Sequence, residues 1–374
     1  NACWGCSESE DTLASEATDP WTVGPHVPAN TTLSIPDLER DRTLIVEVWY
    51  PSSSSVPGDE SVAKFEASDE ARSSLTGLLE NAPADCPTRQ TTSVRGGPLQ
   101  AGLGPRPLIA FSHCYNCGRY SGFSLAERLA SHGMVVISVD HAGLLPFAEG
   151  APGESLSTEQ LAVRVGDIRK LIDMAVSGSL FEGADAISQL RVNPDKIGVF
   201  GHSFGSVTAG RVAQEDGRIK AVAGLAAPMS NVLLPGVDMA EIRVPVLFVL
   251  AEEDNSIREL GNDFLRANYD DANPPVWQVD IADAGHWSVS DLCGLTALFA
   301  PGCGQGVRHS VGREGETFDY IPVIRSLELT KQYLTAFFLA YLDGRMDGLA
   351  RLGMDTHDGV TVRSRLGSPP AVDE

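Results

Sequence analysis

The stretch from Asp195 to Gly205 admits few backbone paths. Ile197-Gly198-Val199-Phe200 is a brief apolar run, the pattern of a buried strand. Gly201-His202-Ser203-Phe204-Gly205 follows, and the residues from Ser206 to Ala213 can start a helix. A strand that turns directly into a helix at Ser203 must bend sharply. Small residues two before and two after it keep the crossing backbones from colliding. The helix N-terminus behind the serine aims N–H groups at one point, where negative charge could be held. In a chain with 37 glycines this spacing could arise by chance. Its context selects it: a strand before, a helix former after, and a candidate acid and base later, in the order Ser, Asp, His.

The rest of the chain repeats the alternation of strand and helix. Thr43 to Tyr50 reads as a strand stopped by Pro51, and Arg106 to His113, Met134 to Asp140, Ile219 to Leu225, Val244 to Leu250 and Val276 to Ile281 as further strands. Ser121 to His132, Thr158 to Ser177 and Thr330 to Leu342 carry apolar residues at helical spacing, with Gly133 placed to end the first. Continuous apolar strands between amphipathic helices predict an α/β fold, its mainly parallel central sheet flanked by helices on both faces. Residues 1–35 are expected to form an extended N-terminal segment, 36–345 the domain and 346–374 a surface tail. Residues 52–105, with a helix near Ala63 to Glu80, read as an insertion. Asn30-Thr31-Thr32 fits a glycosylation acceptor.

Fifty acidic residues against 28 basic ones give a net charge of −22, which excludes the basic footprint of a nucleic-acid binder. The longest apolar runs, Val244 to Ala251 and Leu334 to Leu342, are too short to cross a bilayer. The chain starts at Asn1 without methionine, which is compatible with a removed targeting segment. Seven cysteines, at 3, 6, 86, 114, 117, 293 and 303, leave at least one unpaired within a monomer. Cys293 and Cys303 bracket a short loop and offer a disulfide. Cysteine usage points to an oxidising compartment, so the chain reads as secreted or periplasmic.

Parallel sheets bind ligands beyond the C-terminal ends of their strands. After Leu250 comes Ala251-Glu252-Glu253-Asp254-Asn255-Ser256-Ile257, and after Ile281 comes Ala282-Asp283-Ala284-Gly285-His286-Trp287. A serine hydroxyl becomes a useful nucleophile when an imidazole takes its proton, and the imidazole needs a carboxylate to fix its tautomer. His286 is the best-placed base and Asp254 the best acid, with Asp283 the alternative. Asp140 beside His141 precedes the serine, the wrong order for this arrangement. No His, Cys or Asp cluster has metal-ligand spacing, and no cofactor is expected.

Val46 to Pro51, Pro107 to His113, Leu125 to Gly133, Gly201 to Gly205, Glu252 to Ile257 and Gly285-His286 together resemble α/β-hydrolase esterases. The types are platelet-activating-factor acetylhydrolase, dienelactone hydrolase and bacterial cutinase, including polyester hydrolases. The resemblance covers about Thr43 to Leu342 and implies the α/β-hydrolase fold. It also implies an oxyanion hole from the backbone amides of Tyr115 and Phe204. Met229 falls where polyester hydrolases carry a substrate-clamping tryptophan, and Trp287, beside the base, is expected on the substrate side. Three departures stand out. The acetylhydrolase type carries its acid after the strand that here ends Gly224-Leu225-Ala226-Ala227, where no carboxylate stands. Cys114 takes the usual glycine position after His113. Dienelactone hydrolases proper use cysteine where this chain has Ser203.

Cys114-Tyr115-Asn116-Cys117 also has the spacing of a redox pair, but a disulfide stiffening this loop accounts for more of the chain. The expectation is a monomeric serine carboxylester hydrolase acting on small-molecule or polymeric ester substrates. The alternatives are a cutinase-like polyester hydrolase and, from another class, a non-catalytic binding protein of the same fold.

Overall fold

The computed structural model describes residues 19–141, 155–353 and 357–367. Cys3, Cys6 and most of the 141–157 connection lie outside them. The first strand among the described residues is β1 (Val27–Asp37), which turns back antiparallel into β2 (Arg42–Ser52). The insertion holds the short β3 (Glu60–Ser61), helix α1 (Asp69–Asn81), β4 (Gln90–Thr91) and β5 (Val94–Arg95). Then come β6 (Arg106–Ser112), α2 (Phe123–Ser131), β7 (Val135–Val139), α3 (Thr158–Ser177), β8 (Val192–His202) and α4 (Phe204–Glu215). The second half adds β9 (Ile219–Leu225), β10 (Val246–Ala251), α5 (Arg258–Asp271) and β11 (Val276–Ile281). A small hairpin, β12 (Gln305–Val307) with β13 (Thr317–Asp319), precedes α6 (Val323–Asp343), α7 (Met346–Leu352) and β14 (Val360–Arg365).

Among the described residues the main sheet has ten strands, ordered β14-β11-β10-β9-β8-β6-β7-β2-β1-β5. The six from β11 to β7 are parallel, and antiparallel pairs flank them on both sides. Side chains alternate between the faces, as the period of two requires. In β10, Leu247, Val249 and Ala251 join the core under α2 and α6, whereas Val246, Phe248 and Leu250 join the core under α3, α4 and α5. Burial on both faces explains why these strands read as continuous apolar runs.

Several elements depart from the sequence reading. Residues 27–35, expected in an extended lead-in, belong to β1 and pair along its whole length with β2. Asn30 is buried there and donates to Glu47 Oε1 at 2.6 Å, so it is not an open glycosylation site. The tail from 346 holds α7 and the edge strand β14, which pairs with β11. The insertion helix starts only at Asp69, because Ser68 caps it by accepting from the Ala71 amide at 3.1 Å. Helix α6 begins seven residues before Thr330, after Pro322. The expected Cys293–Cys303 disulfide does not form: Cys303 bridges to Cys86 in the insertion, and Cys293 is a buried free thiol. Cys114 and Cys117 are joined.

Candidate active site

The turn at Ser203 sits at the C-terminal end of β8, near the middle of the parallel strands. Ser203 has φ 57° and ψ −120°, a conformation that costs a non-glycine residue about 1–3 kcal/mol. Neighbours hold it there: its amide donates to Leu225 O at 3.0 Å and its carbonyl accepts from the Ser206 amide at 2.8 Å. A Cβ on Gly201 would lie 1.9 Å from Gly205 O, and one on Gly205 would lie 1.9 Å from Ser112 O. Both glycines are therefore required by backbone crossing, as the motif's spacing implies.

Two further loops converge on Ser203. His286 follows β11, and its Nε2 stands 2.8 Å from Ser203 Oγ. Its Nδ1 stands 2.7 Å from Asp254 Oδ2, in the loop after β10. Asp254 Oδ1 accepts from the amides of Ser256 and Ile257, each at 2.9 Å. Since the carboxylate only accepts, Nδ1 carries the proton and Nε2 is left to accept from the serine hydroxyl. His286 and Asp254 are both buried.

The other carboxylates nearby are engaged elsewhere. Glu253 is buried and accepts from Ser310 Oγ, the His309 amide and Arg308. Burial works to raise its pKa, but these donors together outweigh it and hold the group below the ordinary carboxylate value. Asp283 pairs with Arg308 at 2.7 Å. Asp140 receives both the backbone amide and the guanidinium of Arg119, at 2.7 and 2.8 Å.

His202 was not singled out by its motif position, yet it holds the site. Its Nε2 donates to the backbone carbonyl of His286 at 2.9 Å, so the residue before the nucleophile anchors the base. Burial pushes its pKa well below the ordinary histidine value and keeps it neutral. The Trp287 ring meets both imidazoles edge-on, at 5.0 Å from His286 and 5.3 Å from His202, and packs on Phe299. It backs the base. Met229 is fully buried against Gly210 and Gly224, beneath the site, and the neighbouring wall is made by Ala227 and Pro228.

Beside Ser203 opens an apolar pocket of about 310 Å³, walled by Phe204, Val207, Pro228, Leu234, Ile257 and Phe264. Its rim carries three exposed leucines, Leu156, Leu233 and Leu260. Among the described residues no charged side chain lines it. Part of this wall belongs to α5, where Leu260, Phe264, Leu265 and Tyr269 recur at helical spacing among a majority of polar residues. Its buried face also uses Gly261, Asn262 and Asn268, so the apolar spacing is diluted by polar residues. Phe204 opens α4, and Tyr115 sits half-buried in the loop after β6, between the bridged cysteines. Among the described residues no group of three or more His, Cys, Asp or Glu is placed to hold a metal ion.

Residues 123–286, which include Ser203, Asp254 and His286, match the dienelactone hydrolase family. The chain is 28% identical over 255 residues to a probable 1-alkyl-2-acetylglycerophosphocholine esterase of Arthroderma benhamiae. That match takes in 66% of this chain and 63% of the relative, under two thirds of its length. A ferulic acid esterase from Streptomyces cinnamoneus superposes with a TM-score of 0.65 at 24% identity, covering 94% of this chain and 98% of that one. The chain is thus a protein of the α/β-hydrolase fold, built around a core that matches the dienelactone hydrolase family.

Proposed function

We propose that this protein is a serine carboxylester hydrolase. The observation that carries the reading is the hydrogen-bonded line from Ser203 through His286 to Asp254, at 2.8 and 2.7 Å, opening on an apolar pocket. Ser203 Oγ attacks the ester carbonyl and His286 Nε2 takes the hydroxyl proton. Asp254 holds the imidazole in orientation and supports its positive charge. The carbonyl oxygen becomes an oxyanion, received by the Tyr115 and Phe204 amides. The C–O bond to the alcohol breaks as His286 returns the proton to the leaving oxygen. Water then gives a proton to His286 as it attacks the acyl carbon, and His286 passes that proton to Ser203 Oγ as the acyl–oxygen bond breaks, which frees the acid and restores Ser203.

The names borne by the similar proteins support the ester class. The pocket stands at the small end of ligand-site volumes, about 300–1,000 Å³, and its described lining carries no charge. Short- to medium-chain apolar esters fit it best. The exposed leucines at the rim favour a second reading, a cutinase-like polyesterase, since an open apolar edge can lie against an insoluble chain. Release of soluble products from a polyester film separates the two readings. The two disulfides suit secretion into an oxidising compartment.

The test is hydrolysis of a chain-length series of p-nitrophenyl esters, combined with a fluorophosphonate probe located by mass spectrometry. Label on Ser203 with activity lost in step, and turnover abolished by Ser203→Ala, is the expected result. A loss of only tenfold in that variant overturns the assignment.

A further inference from the structure

Arg164 is a fully buried cation on α3, and no feature of its sequence setting singles it out. Its guanidinium reaches two consecutive backbone carbonyls of the loop after β6. Nη1 donates to His113 O at 2.6 Å, and Nη2 donates to Cys114 O at 3.1 Å. Nη1 also lies 3.3 Å from Ser112 Oγ, which in turn meets His141 Nε2 at 3.0 Å. The next peptide unit after Cys114 carries the amide of Tyr115. The same guanidinium carbon stands 4.4 Å from the centre of the Phe204 ring. One side chain thus touches both of the segments proposed to supply oxyanion donors.

Geometry explains why this matters. A backbone amide is aimed by the orientation of its own peptide plane, and the carbonyl of Cys114 is the other half of the Tyr115 plane. Arg164 shares Cys114 O with His113 Nδ1, at 2.8 Å, and the Cys117 amide, at 3.3 Å, and it is the one of the three that also reaches His113 O and the Phe204 ring, so it ties the direction of the Tyr115 N–H to α4. A planar fork restrains two adjacent carbonyls at once, which a single-point donor cannot do. The face of Phe204, held against the cation, fixes the first residue of α4 relative to that loop.

We infer that Arg164 is a positioning residue that sets the separation and direction of the two oxyanion donors, Tyr115 N–H and Phe204 N–H. This rests on the proposed esterase reading. Removing the fork leaves Ser203, His286 and Asp254 in place, and the Tyr115 peptide, still held by His113 Nδ1 and the Cys117 amide, loses its tie to α4 and shifts relative to the Phe204 N–H. The loss then falls on the transition state, because that is where charge gathers on the carbonyl oxygen.

The experiment compares Arg164→Met and Arg164→Lys with the unaltered protein. It uses p-nitrophenyl esters and an alkyl trifluoromethyl ketone, whose hemiketal oxyanion occupies the place of the tetrahedral intermediate. Active sites are counted by fluorophosphonate titration to completion, so that only folded enzyme enters kcat. Arg164→Met is expected to lose about 100-fold in kcat with KM nearly unchanged, the loss typical of one oxyanion donor. Affinity for the ketone should fall by a similar factor. Arg164→Lys, which keeps the charge but not the fork, should recover part of both. A merely structural role would lower the melting temperature without linking kcat to ketone affinity. Both variants within threefold of the unaltered protein, or a lower kcat with ketone affinity intact, overturns the inference. If neither variant folds, the structure of the unaltered protein with the ketone bound decides. The hemiketal oxygen must accept from the Tyr115 and Phe204 amides while Arg164 still holds His113 O and Cys114 O; an oxygen held elsewhere refutes it. An unaltered protein that neither turns over esters nor takes label at Ser203 overturns the esterase reading itself.

Discussion

Replacing Asp254 by asparagine tests the proposed chemistry at its least forgiving point. The carboxylate is held from two sides: Oδ1 accepts from the Ser256 and Ile257 amides, and Oδ2 accepts from His286 Nδ1. In Asp254→Asn the amide oxygen stays with the two backbone donors and the NH₂ turns toward His286. The imidazole then accepts at Nδ1, which places its proton on Nε2, facing Ser203. That tautomer cannot take the serine proton. Restoring the working tautomer means flipping the amide, which sets its NH₂ against two N–H groups. Leaving each of those donors unsatisfied costs about 1–3 kcal/mol, or roughly 2–6 kcal/mol together. Taken as a population of competent enzyme, this is a factor of about 30 to 3 × 10⁴, before the lost negative charge adds its share. The expected result is a fall of about 10³–10⁴ in kcat at unchanged KM, with the melting temperature little altered. It is read by initial rates on a p-nitrophenyl ester with active sites counted. A variant within tenfold of the unaltered enzyme refutes the role assigned to Asp254.

Three more predictions concern other parts of the molecule. His132 is buried, donates from Nε2 to Thr22 O at 2.9 Å, and has its pKa lowered from 6.5 to about 4, mainly by burial. Below pH 6.5 the unfolded chain binds the proton first, so stability falls with pH until about pH 4. Between pH 7 and pH 5 this amounts to about 2 kcal/mol, which urea unfolding should show for the unaltered protein relative to His132→Gln; equal pH dependence in the two counts against it. The Cys86–Cys303 bridge spans 217 residues of sequence, so the double change Cys86→Ala with Cys303→Ala should cost about 2–5 kcal/mol of stability by denaturant unfolding. Val207→Phe should fill the pocket beside Ser203 and shorten the longest acyl chain accepted, while acetyl ester turnover changes little; an unaltered chain-length profile would show that acyl groups bind elsewhere.

The parallel strands were legible because each is buried on both faces and so appears as an unbroken apolar run, as in Val135–Val139. The strained turn was legible for a different reason: only glycine fits where Gly201 and Gly205 cross other backbones. Elements without such a local signature were missed. β1, Val-Pro-Ala-Asn-Thr-Thr-Leu-Ser-Ile-Pro-Asp, carries two prolines and a polar centre and shows no strand pattern until β2 pairs with it. Helix α5 was passed over although Leu260, Phe264, Leu265 and Tyr269 keep helical spacing, because polar residues outnumber them and part of its buried face is asparagine, as in Asn262, which donates to Ala251 O at 2.9 Å. Cysteine spacing suggested Cys293 as the partner of Cys303, but folding brings Cys86 there from far away in sequence.

The amino-acid sequence by itself determined the layered α/β plan, the position of the serine turn, and the order in which an acid and a base follow it. These follow from periodicity and from local backbone geometry, which neighbouring residues fix. Only the tertiary structure decided which carboxylate faces His286, since Glu253, Asp283 and Asp254 lie close together in sequence or space and differ in the donors that surround them. It alone placed Arg164 under Cys114 and Phe204, and Met229 out of reach of the pocket. Such choices depend on the distances between loops carried by different strands, and no local pattern encodes those distances.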